Sequence, residues 1–259
     1  MARRTRKKKD RLFKIALVVI IIIFIAGVYN GYYWWINRKS RFVRYPAFGI
    51  AIPENFSIHG IDVSKYQQNI AWDVVKEMKV KNVQLGFAFI KATEGLGNRD
   101  QQFKRNWKKS KQAGMIRGAY HFFLATKDGK AQAENFISAV DLENGDLPPV
   151  VDIEQTYGVN PSILKKELKE WLDVIEFYYG VKPIIYTGVE FYKRNLGKDF
   201  NEYPLWAAHY FQYNTPRIDR DWQFWQHSEQ GRVNGIISKV DFNVFNGDSV
   251  EFRNLLIAK

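Results

Sequence analysis

Short apolar, β-rich runs alternate with amphipathic helical stretches along residues 58–200, and this alternation is the strongest constraint on the fold of the chain. Runs rich in Val, Ile, Phe and Tyr occur at 58–63, 83–92, 116–124, 149–154 and 183–187. Helical patterns lie between and after them, at 70–80, 100–113, 131–141, 162–179 and, more briefly, 189–196. Strands and helices in this order form right-handed crossovers and a parallel sheet that is buried on both faces.

Three further strand patterns, at 204–209, 222–227 and 239–245, follow with little helical sequence between them. Eight strands with helices after about the first five predict an α/β fold, an irregular TIM-like barrel of about five β/α units followed by three strands that lack helices. Gly114 and Gly180 stop two of the helices, at the position where a left-handed residue commonly ends a helix. The barrel domain is expected to occupy residues 58–259.

The run of 22 residues from Ile15 to Ile36 contains no charge, and it follows a tail in which seven of the first eleven residues are Arg or Lys. As a helix this run is about 33 Å long, enough to cross a hydrocarbon core of about 30 Å. Tyr and Trp residues cluster at its far end, where such side chains settle at a membrane surface. We therefore predict a basic cytoplasmic tail over 1–14, a transmembrane signal anchor over 15–36 and a linker over 37–57.

This pattern predicts a single-pass membrane protein with its N-terminus inside and its folded domain on the extracytoplasmic side. A cleaved signal peptide is the alternative, because the most apolar part, residues 15–28, is short enough for one. No clean cleavage site of small residues follows that part, and the aromatic cluster favours a retained anchor.

The net charge of +12 is concentrated in the N-terminal part of the chain. Residues 1–44 hold 12 basic residues and one acidic residue, whereas residues 45–259 hold 27 basic and 26 acidic residues. A basic surface for nucleic acid over the folded domain is therefore not expected. The chain has no cysteine, which excludes disulfides, Cys-ligated metals and thiol nucleophiles.

Acidic residues end several of the predicted strands, at the edge where a parallel barrel carries its functional groups. The first run reaches Asp62, the fourth reaches Asp152 and Glu154, and the last carries Asp241. Asp152 and Glu154 are two residues apart on one strand, so they point to the same face with Cα atoms about 6.6 Å apart. Neighbouring carboxyls raise one pKa of the pair, which yields the proton donor that cleavage of a glycosidic bond requires.

Two other interpretations of these acids stay open at this point. Asp152 and Glu154 could end a strand and cap the next helix without a chemical role, although unpaired charge is costly to bury. Four clustered carboxylates could also hold a divalent cation. No His-x-x-x-His or EF-hand-like spacing supports that, and we expect no metal and no cofactor.

Aromatic residues near the strand ends could provide flat platforms for sugar rings. The candidates are Tyr120, Tyr186, Trp206, Trp222 and Trp225, of which two or three are expected to serve. The four histidines lie inside β-like runs and are expected to be structural, namely His59, His121, His209 and His227.

Eight motifs between about His59 and Gly247 resemble, in their order, those of glycoside hydrolase family 25, the Chalaropsis-type lysozymes. They are His59-Gly60-Ile61-Asp62-Val63-Ser64, Phe89-Ile90-Lys91-Ala92-Thr93-Glu94-Gly95, Gly118-Ala119-Tyr120-His121-Phe122, Pro148-Pro149-Val150-Val151-Asp152-Ile153-Glu154, Ile185-Tyr186-Thr187, Tyr203-Pro204-Leu205-Trp206, Trp225-Gln226-His227-Ser228 and Val240-Asp241-Phe242-Asn243. The family usually continues the first motif with Trp or Tyr and then Gln, as Tyr66 and Gln67 do here. Gln68 departs from the pattern, because Gly is common at its position.

The resemblance implies a barrel of five β/α units and three strands, and it implies cleavage of the β-1,4 bond between N-acetylmuramic acid and N-acetylglucosamine in peptidoglycan. Glu154 matches the general acid. The other active-site carboxylates match Asp62, Asp152 and Asp241, and aromatic positions along the groove match Tyr120, Tyr186 and Trp206. The expected partners are peptidoglycan strands and, through the N-terminal helix, the cytoplasmic membrane of a bacterium.

Two mechanisms stay open within this resemblance. In a substrate-assisted route, Asp152 orients the 2-acetamido group of the substrate while Glu154 protonates the glycosidic oxygen. The rival is an inverting or direct-nucleophile route through Asp62 or Asp241. The alternative function is a membrane-anchored protein that binds peptidoglycan without cutting it.

Overall fold

The computed structural model describes residues 2–37, 41–212 and 214–258. These residues form two compact units, of which the first contains helix α1 (Ala2–Asn37). Within α1, the stretch Lys14–Tyr33 has a mean hydropathy of 2.4, and its side chains are exposed. Its length and composition suit a membrane-spanning helix, and a signal sequence near an N-terminus shares both properties.

The second unit is a closed barrel. In chain order the strands are β1 (Phe42–Tyr45), β2 (Ile50–Pro53), β3 (His59–Val63), β4 (Lys79–Val80), β5 (Val83–Glu94), β6 (Asn98–Arg99), β7 (Ile116–Phe122), β8 (Val150–Asp152), β9 (Ile184–Gly188), β10 (Leu205–Ala208), β11 (Phe224–Gly231) and β12 (Val240–Phe245). Eight of these described strands form the barrel in the order β3, β5, β7, β8, β9, β10, β11 and β12. Pairing of β12 with β3 closes it.

Helical segments connect the first six barrel strands, as the sequence pattern predicts. They are α2 (Trp72–Glu77), α3 (Phe103–Gln112), α4 (Gly129–Ile137), α5 (Pro161–Tyr179) and α6 (Val189–Phe191), the last continuing through helical turns at Tyr192–Leu196 and Gly197–Phe200. Among the described residues, β10, β11 and β12 are joined without helices, and α7 (Ser249–Leu255) follows β12. The predicted barrel of five β/α units followed by three strands is confirmed.

Helix α5 shows how local sequence sets the boundaries of an element. Asn160 caps its start by accepting a hydrogen bond from the Ser162 N–H, and Pro161 occupies the first turn, where the missing N–H has no partner to lose. Gly180 ends the helix with a φ of 72°, the left-handed conformation that glycine adopts without strain. One face of the helix is buried, and it consists of Leu164, Leu168, Trp171, Leu172 and Ile175.

Aromatic side chains fill the barrel beneath its mouth, the end at which the parallel strands have their carboxyl termini. Phe87 and Phe89 point inward from β5. Gly60 and Gly118 on neighbouring strands give them room, because a Cβ at either glycine would lie 2.5 Å from a phenyl ring. Trp206 stacks on Phe89 with ring centroids 4.4 Å apart. The interior is therefore a packed core that supports the mouth from below.

Strand β12 runs antiparallel to both of its neighbours, whereas the other barrel pairs are parallel. Asp241 is expected from the sequence at the carboxyl edge of a parallel sheet, but it lies near the amino end of β12. Because β12 is reversed, its amino end meets the carboxyl end of β3, and the register pairs Asp241 with Asp62. The acid thus reaches the expected place through the opposite strand direction.

Residues 42–53 differ from the irregular linker expected over 37–57. Strands β1 and β2 form an antiparallel hairpin, and the second compact unit begins at Phe42. Tyr45, Phe48 and Ile52 are fully buried in the core of that unit. Phe48 packs on Phe242 of β12 with ring centroids 5.3 Å apart. The hairpin therefore belongs to the folded unit, and positions 38–40 of the expected linker lie outside the described residues.

Candidate active site

The seven site residues predicted from the sequence come together around one pocket at the mouth of the barrel. The pocket has a volume of about 100 Å³. It is lined by Asp62, Tyr120, Asp152, Glu154, Tyr186, Trp206, Gln226 and Asp241. These residues come from β3, β7, β9, β10, β11, β12 and from β8 with the two residues beyond it. The pocket therefore exists only when the barrel is closed.

Side chains alternate between the two faces of each strand, and the site residues occupy positions that face the mouth of the barrel. Residues two apart share a face of a strand, so Asp62 faces the same interior as Gly60. On the other side of the barrel, Asp152 pairs in register with Tyr186, and Tyr186 pairs with Trp206. These three side chains form one layer, and Glu154 follows Asp152 by two residues just past the end of β8.

Asp62 and Asp241 form a hydrogen-bonded carboxyl pair between β3 and β12. Asp62 Oδ2 also accepts hydrogen bonds from Gln226 Nε2 and Asn243 Nδ2, both at 2.8 Å. Burial raises the pKa of Asp62. Burial, together with the charge of Asp62, raises the pKa of Asp241 to about 9. Asp241 therefore holds the proton of this pair at neutral pH and donates it to Asp62.

Asp152 and Glu154 form a second carboxyl pair, in which the two environments differ. Asp152 is buried, and its Oδ1 has no hydrogen-bond partner among the described residues. Burial raises the pKa of Asp152 well above its usual range, and the charge of Glu154 raises it further. Glu154 is more exposed as a residue, but partial burial of its carboxyl group raises its pKa too, while the Tyr186 hydroxyl and the charge of Lys91 lower it. The pair combines an accessible acid with a buried one.

Two aromatic residues form a fixed wall of the pocket. Tyr186 donates a hydrogen bond from its hydroxyl to Gln226 Oε1 at 2.7 Å, and Trp206 Nε1 donates to Asn243 Oδ1 at 2.8 Å. The two rings lie 4.4 Å apart and are 6% and 2% exposed, so they present little area to a ligand. Tyr120, which is half-buried on β7, is the more accessible ring.

Sequence reasoning misses Gln226, Asn243 and Tyr210 as site residues. Gln226 joins the two sides of the pocket, since it donates to Asp62 and accepts from Tyr186 and from the Tyr210 hydroxyl. Residues two apart on a strand point to the same face, and this alternation predicts the positions of the two amides as well as those of the acids. Gln226 lies two residues after the inward-facing Phe224 on β11, and Asn243 lies two residues after Asp241 on β12.

Trp222, Trp225 and the histidines do not line the pocket. Trp225 instead packs edge-on against Phe42 of the hairpin, with ring centroids 5.7 Å apart. Three histidines are buried, and burial lowers their pKa values to about 4 for His59 and about 3 for His121 and His227. They are neutral at physiological pH, which fits the structural role expected from the sequence.

Comparison with known proteins gives the same picture. The family model described as glycosyl hydrolases family 25 matches residues 61–236. The chain is 41% identical to the uncharacterized protein YegX of Escherichia coli (strain K12) over 256 residues, which are 96% of this chain and 94% of that protein. It is 34% identical to Lysozyme M1 of Streptomyces globisporus over 219 residues, which are 76% of this chain and 71% of that protein.

Solved structures share the barrel. A family 25 glycosyl hydrolase from Bacillus anthracis matches with a TM-score of 0.72 and 32% identity, over 79% of this chain and 95% of that chain. A lysozyme from Streptomyces coelicolor matches with a TM-score of 0.70 and 32% identity, over 77% of this chain and 96% of that chain. From the match to the family model, these relatives and the shared barrel, the chain belongs to glycosyl hydrolase family 25 and is a glycoside hydrolase.

Proposed function

We propose that the protein is an N-acetylmuramidase that cleaves the β-1,4 bond between N-acetylmuramic acid and N-acetylglucosamine in peptidoglycan. The family and the relatives named as lysozymes support a wall-cleaving activity. One observation carries the choice of residues. In the Asp152–Glu154 pair, an accessible carboxyl of raised pKa stands beside a buried carboxylate oxygen that lacks a partner among the described residues.

Glu154 is the proposed general acid. Its raised pKa keeps the carboxyl protonated to higher pH than an ordinary glutamate, and its exposure lets a glycosidic oxygen approach. Transfer of this proton to the glycosidic oxygen allows the leaving sugar to depart as a neutral hydroxyl.

Asp152 is the proposed orienting acid for the substrate's 2-acetamido group. Its unpartnered Oδ1 is a buried acceptor that an amide N–H of the substrate would satisfy. Held in this way, the acetamido oxygen attacks the anomeric carbon while Glu154 protonates the leaving oxygen. Water then opens the cyclic intermediate and returns a proton to Glu154, so the product keeps its anomeric configuration.

The bonding of the other carboxyl pair weighs against the rival route through Asp62 or Asp241. Asp62 Oδ2 already accepts two amide hydrogen bonds, and Asp241 shares a proton with Asp62. Neither carboxyl is free to act as a nucleophile without losing these bonds. NMR of the first anomer released from peptidoglycan distinguishes substrate assistance from the inverting route: retention is expected, and an inverted product would rule out substrate assistance.

Glu154→Gln tests the assignment of the general acid. Because an amide cannot supply the proton, release of reducing ends from purified peptidoglycan is expected to fall about 10²–10⁴-fold while the circular dichroism spectrum stays unchanged. Glu134→Gln, at an exposed position on α4, is the matched control and should keep full activity. If Glu154→Gln kept most of the activity, the assignment would be wrong. If the unaltered protein bound peptidoglycan and released no reducing ends, the non-catalytic binding function would be correct.

The N-terminal helix supports a further part of the proposal, retention in a bacterial cytoplasmic membrane with the N-terminus inside and the hydrolase outside. The stretch Lys14–Tyr33 is long and apolar enough to span, and the basic residues precede it in the chain. The mass of the protein extracted from the membrane fraction tests this arrangement. An intact N-terminus is expected, whereas a shortened chain in the soluble fraction would show that the segment is a cleaved signal peptide.

A further inference from the structure

We infer that Lys91 is a positioning residue of the active site, whose fixed ammonium charge sets the pH range in which the Asp152–Glu154 pair works. The inference rests on the proposed function. It assigns a role to a residue that does not line the pocket and that the proposed mechanism does not use.

The strand register directs Lys91 toward the mouth. On β5, Lys91 has the same parity as Phe87 and Phe89, whose rings fill the barrel interior. It is the next inward position toward the carboxyl end of the strand, and it pairs in register with Tyr120, a residue of the pocket. Its side chain is 15% exposed, so the ammonium group is largely withdrawn from water.

Two contacts hold the ammonium group in place. Lys91 Nζ lies 2.7 Å from Glu94 Oε2 and 4.5 Å from the centre of the Phe122 ring. Phe122 is the register partner of Asp152 on the neighbouring strand. A cation held by both a carboxylate and an aromatic face is confined to one position, here beside the strand that carries the acids.

The surrounding charges make this cation effective. Lys91 lowers the pKa of both Asp152 and Glu154, whereas Glu94 raises that of Asp152. His121, whose pKa the charge of Lys91 also lowers, contributes no charge because burial keeps it neutral. The other ionisable groups around the pair are Asp62 on β3, Tyr120 on β7, Tyr157 after β8, Tyr186 on β9 and Asp241 on β12. These are acids or neutral phenols, so Lys91 supplies the opposing charge.

Substitutions at Lys91 and Glu94 should move the pH profile in opposite directions. Lys91→Met removes the charge at similar length, so both limbs of the plot of kcat/KM against pH should move up by about one unit. Lys91→Arg keeps the charge and should restore the limbs. Glu94→Gln removes an anion beside Asp152 and should move the acid limb down.

The full-length protein, solubilised in detergent, is assayed on purified peptidoglycan between pH 3 and pH 9. At the pH of the acid limb of the unaltered enzyme, which is one unit below the limb expected for Lys91→Met, the variant is expected to show about a tenth of the kcat/KM that it has at its own optimum. A merely structural ion pair would lower the whole profile and leave the limbs in place, and that result would overturn the inference. If Lys91→Met did not fold, an acid limb unmoved in Glu94→Gln would overturn it as well.

Failure of the proposed function gives a different result. In that case the unaltered protein releases no reducing ends at any pH, and the lysine variants do not differ from it. If the unaltered protein hydrolyses peptidoglycan and the limbs of Lys91→Met coincide with its own, the function stands and only the role of Lys91 is wrong.

Discussion

The carboxyl pair of Asp62 and Asp241 links the active site to the stability of the fold. In the folded chain Asp241 keeps its proton up to a pKa of about 9, whereas in the unfolded chain it releases the proton near the ordinary value of 3.8. As the pH rises from about 4 toward 9, the unfolded chain loses this proton and the folded chain retains it. The contribution of Asp241 to the free energy of unfolding therefore falls over this range.

Asp241→Asn should remove this penalty, because the amide is neutral at every pH. Relative to the unaltered protein, the free energy of unfolding of the variant is expected to rise by up to about 1.4 kcal/mol per pH unit above pH 4. Urea denaturation at pH 4 and pH 7 measures the difference. Asp219→Asn, at an exposed site outside the pocket, is the matched control. An equal difference at the two pH values would contradict a protonated Asp241.

At the residue scale, sequence reasoning finds the charged and aromatic site residues and misses the amides that hold them. The acids interrupt apolar runs and attract notice, whereas Gln226 and Asn243 carry no charge and their roles depend on partners on other strands. The backbone conformation of Gln68 explains why the family commonly has glycine at this position. It has a φ of 50°, a conformation that favours glycine, and glycine is common there in the family.

At the scale of elements, the hairpin of β1 and β2 is the part of the fold that the sequence pattern does not predict. Its strands are four residues each, and charges and prolines interrupt any period of two. The burial of Phe48 depends on Phe242, nearly 200 positions later in the chain, and no local pattern carries that contact. The five β/α units were predictable because in each of them a β-rich apolar run is followed closely in the chain by a stretch with helical periodicity.

Phe48→Ala tests whether the hairpin stabilises the barrel. The ring is fully buried against Tyr45 and Phe242, so its removal should lower the free energy of unfolding by about 3–5 kcal/mol in urea denaturation. Phe177→Ala provides the control, since that ring on α5 is 93% exposed and its loss should change stability little. A loss below about 1 kcal/mol in Phe48→Ala would mean that the hairpin is dispensable.

At the scale of the whole molecule, the hydrophobic pattern predicts the number and order of strands but not the direction of the last one. The hydrophobic pattern of a buried strand is the same for a parallel and an antiparallel neighbour. Only the connection between the two strands decides the direction. The residues that join β11 to β12 fold back as an antiparallel pair, with Gly231 opposite Val240. The reversal brings Asp241, near the amino end of β12, to the pocket, and it places Asn243 within hydrogen-bonding distance of Asp62.

A chain that ends at Lys239 should lose both the fold and the activity. It retains Asp62, Asp152 and Glu154, but β3 and β11 lack the strand that joins them in the closed barrel. The expected result is no cooperative transition in urea and no release of reducing ends from peptidoglycan. Cooperative unfolding of this shortened chain would show that seven strands can close without β12.

The place of β12 between the first and the penultimate strands also sets when the enzyme can become active. Synthesis proceeds from the N-terminus, so Asp62 emerges nearly 180 residues before Asp241. A chain that has been synthesised only as far as Lys239 has an open barrel and an incomplete pocket. The pocket is therefore complete, and hydrolysis can begin, only after β12 has been synthesised and has paired with β3.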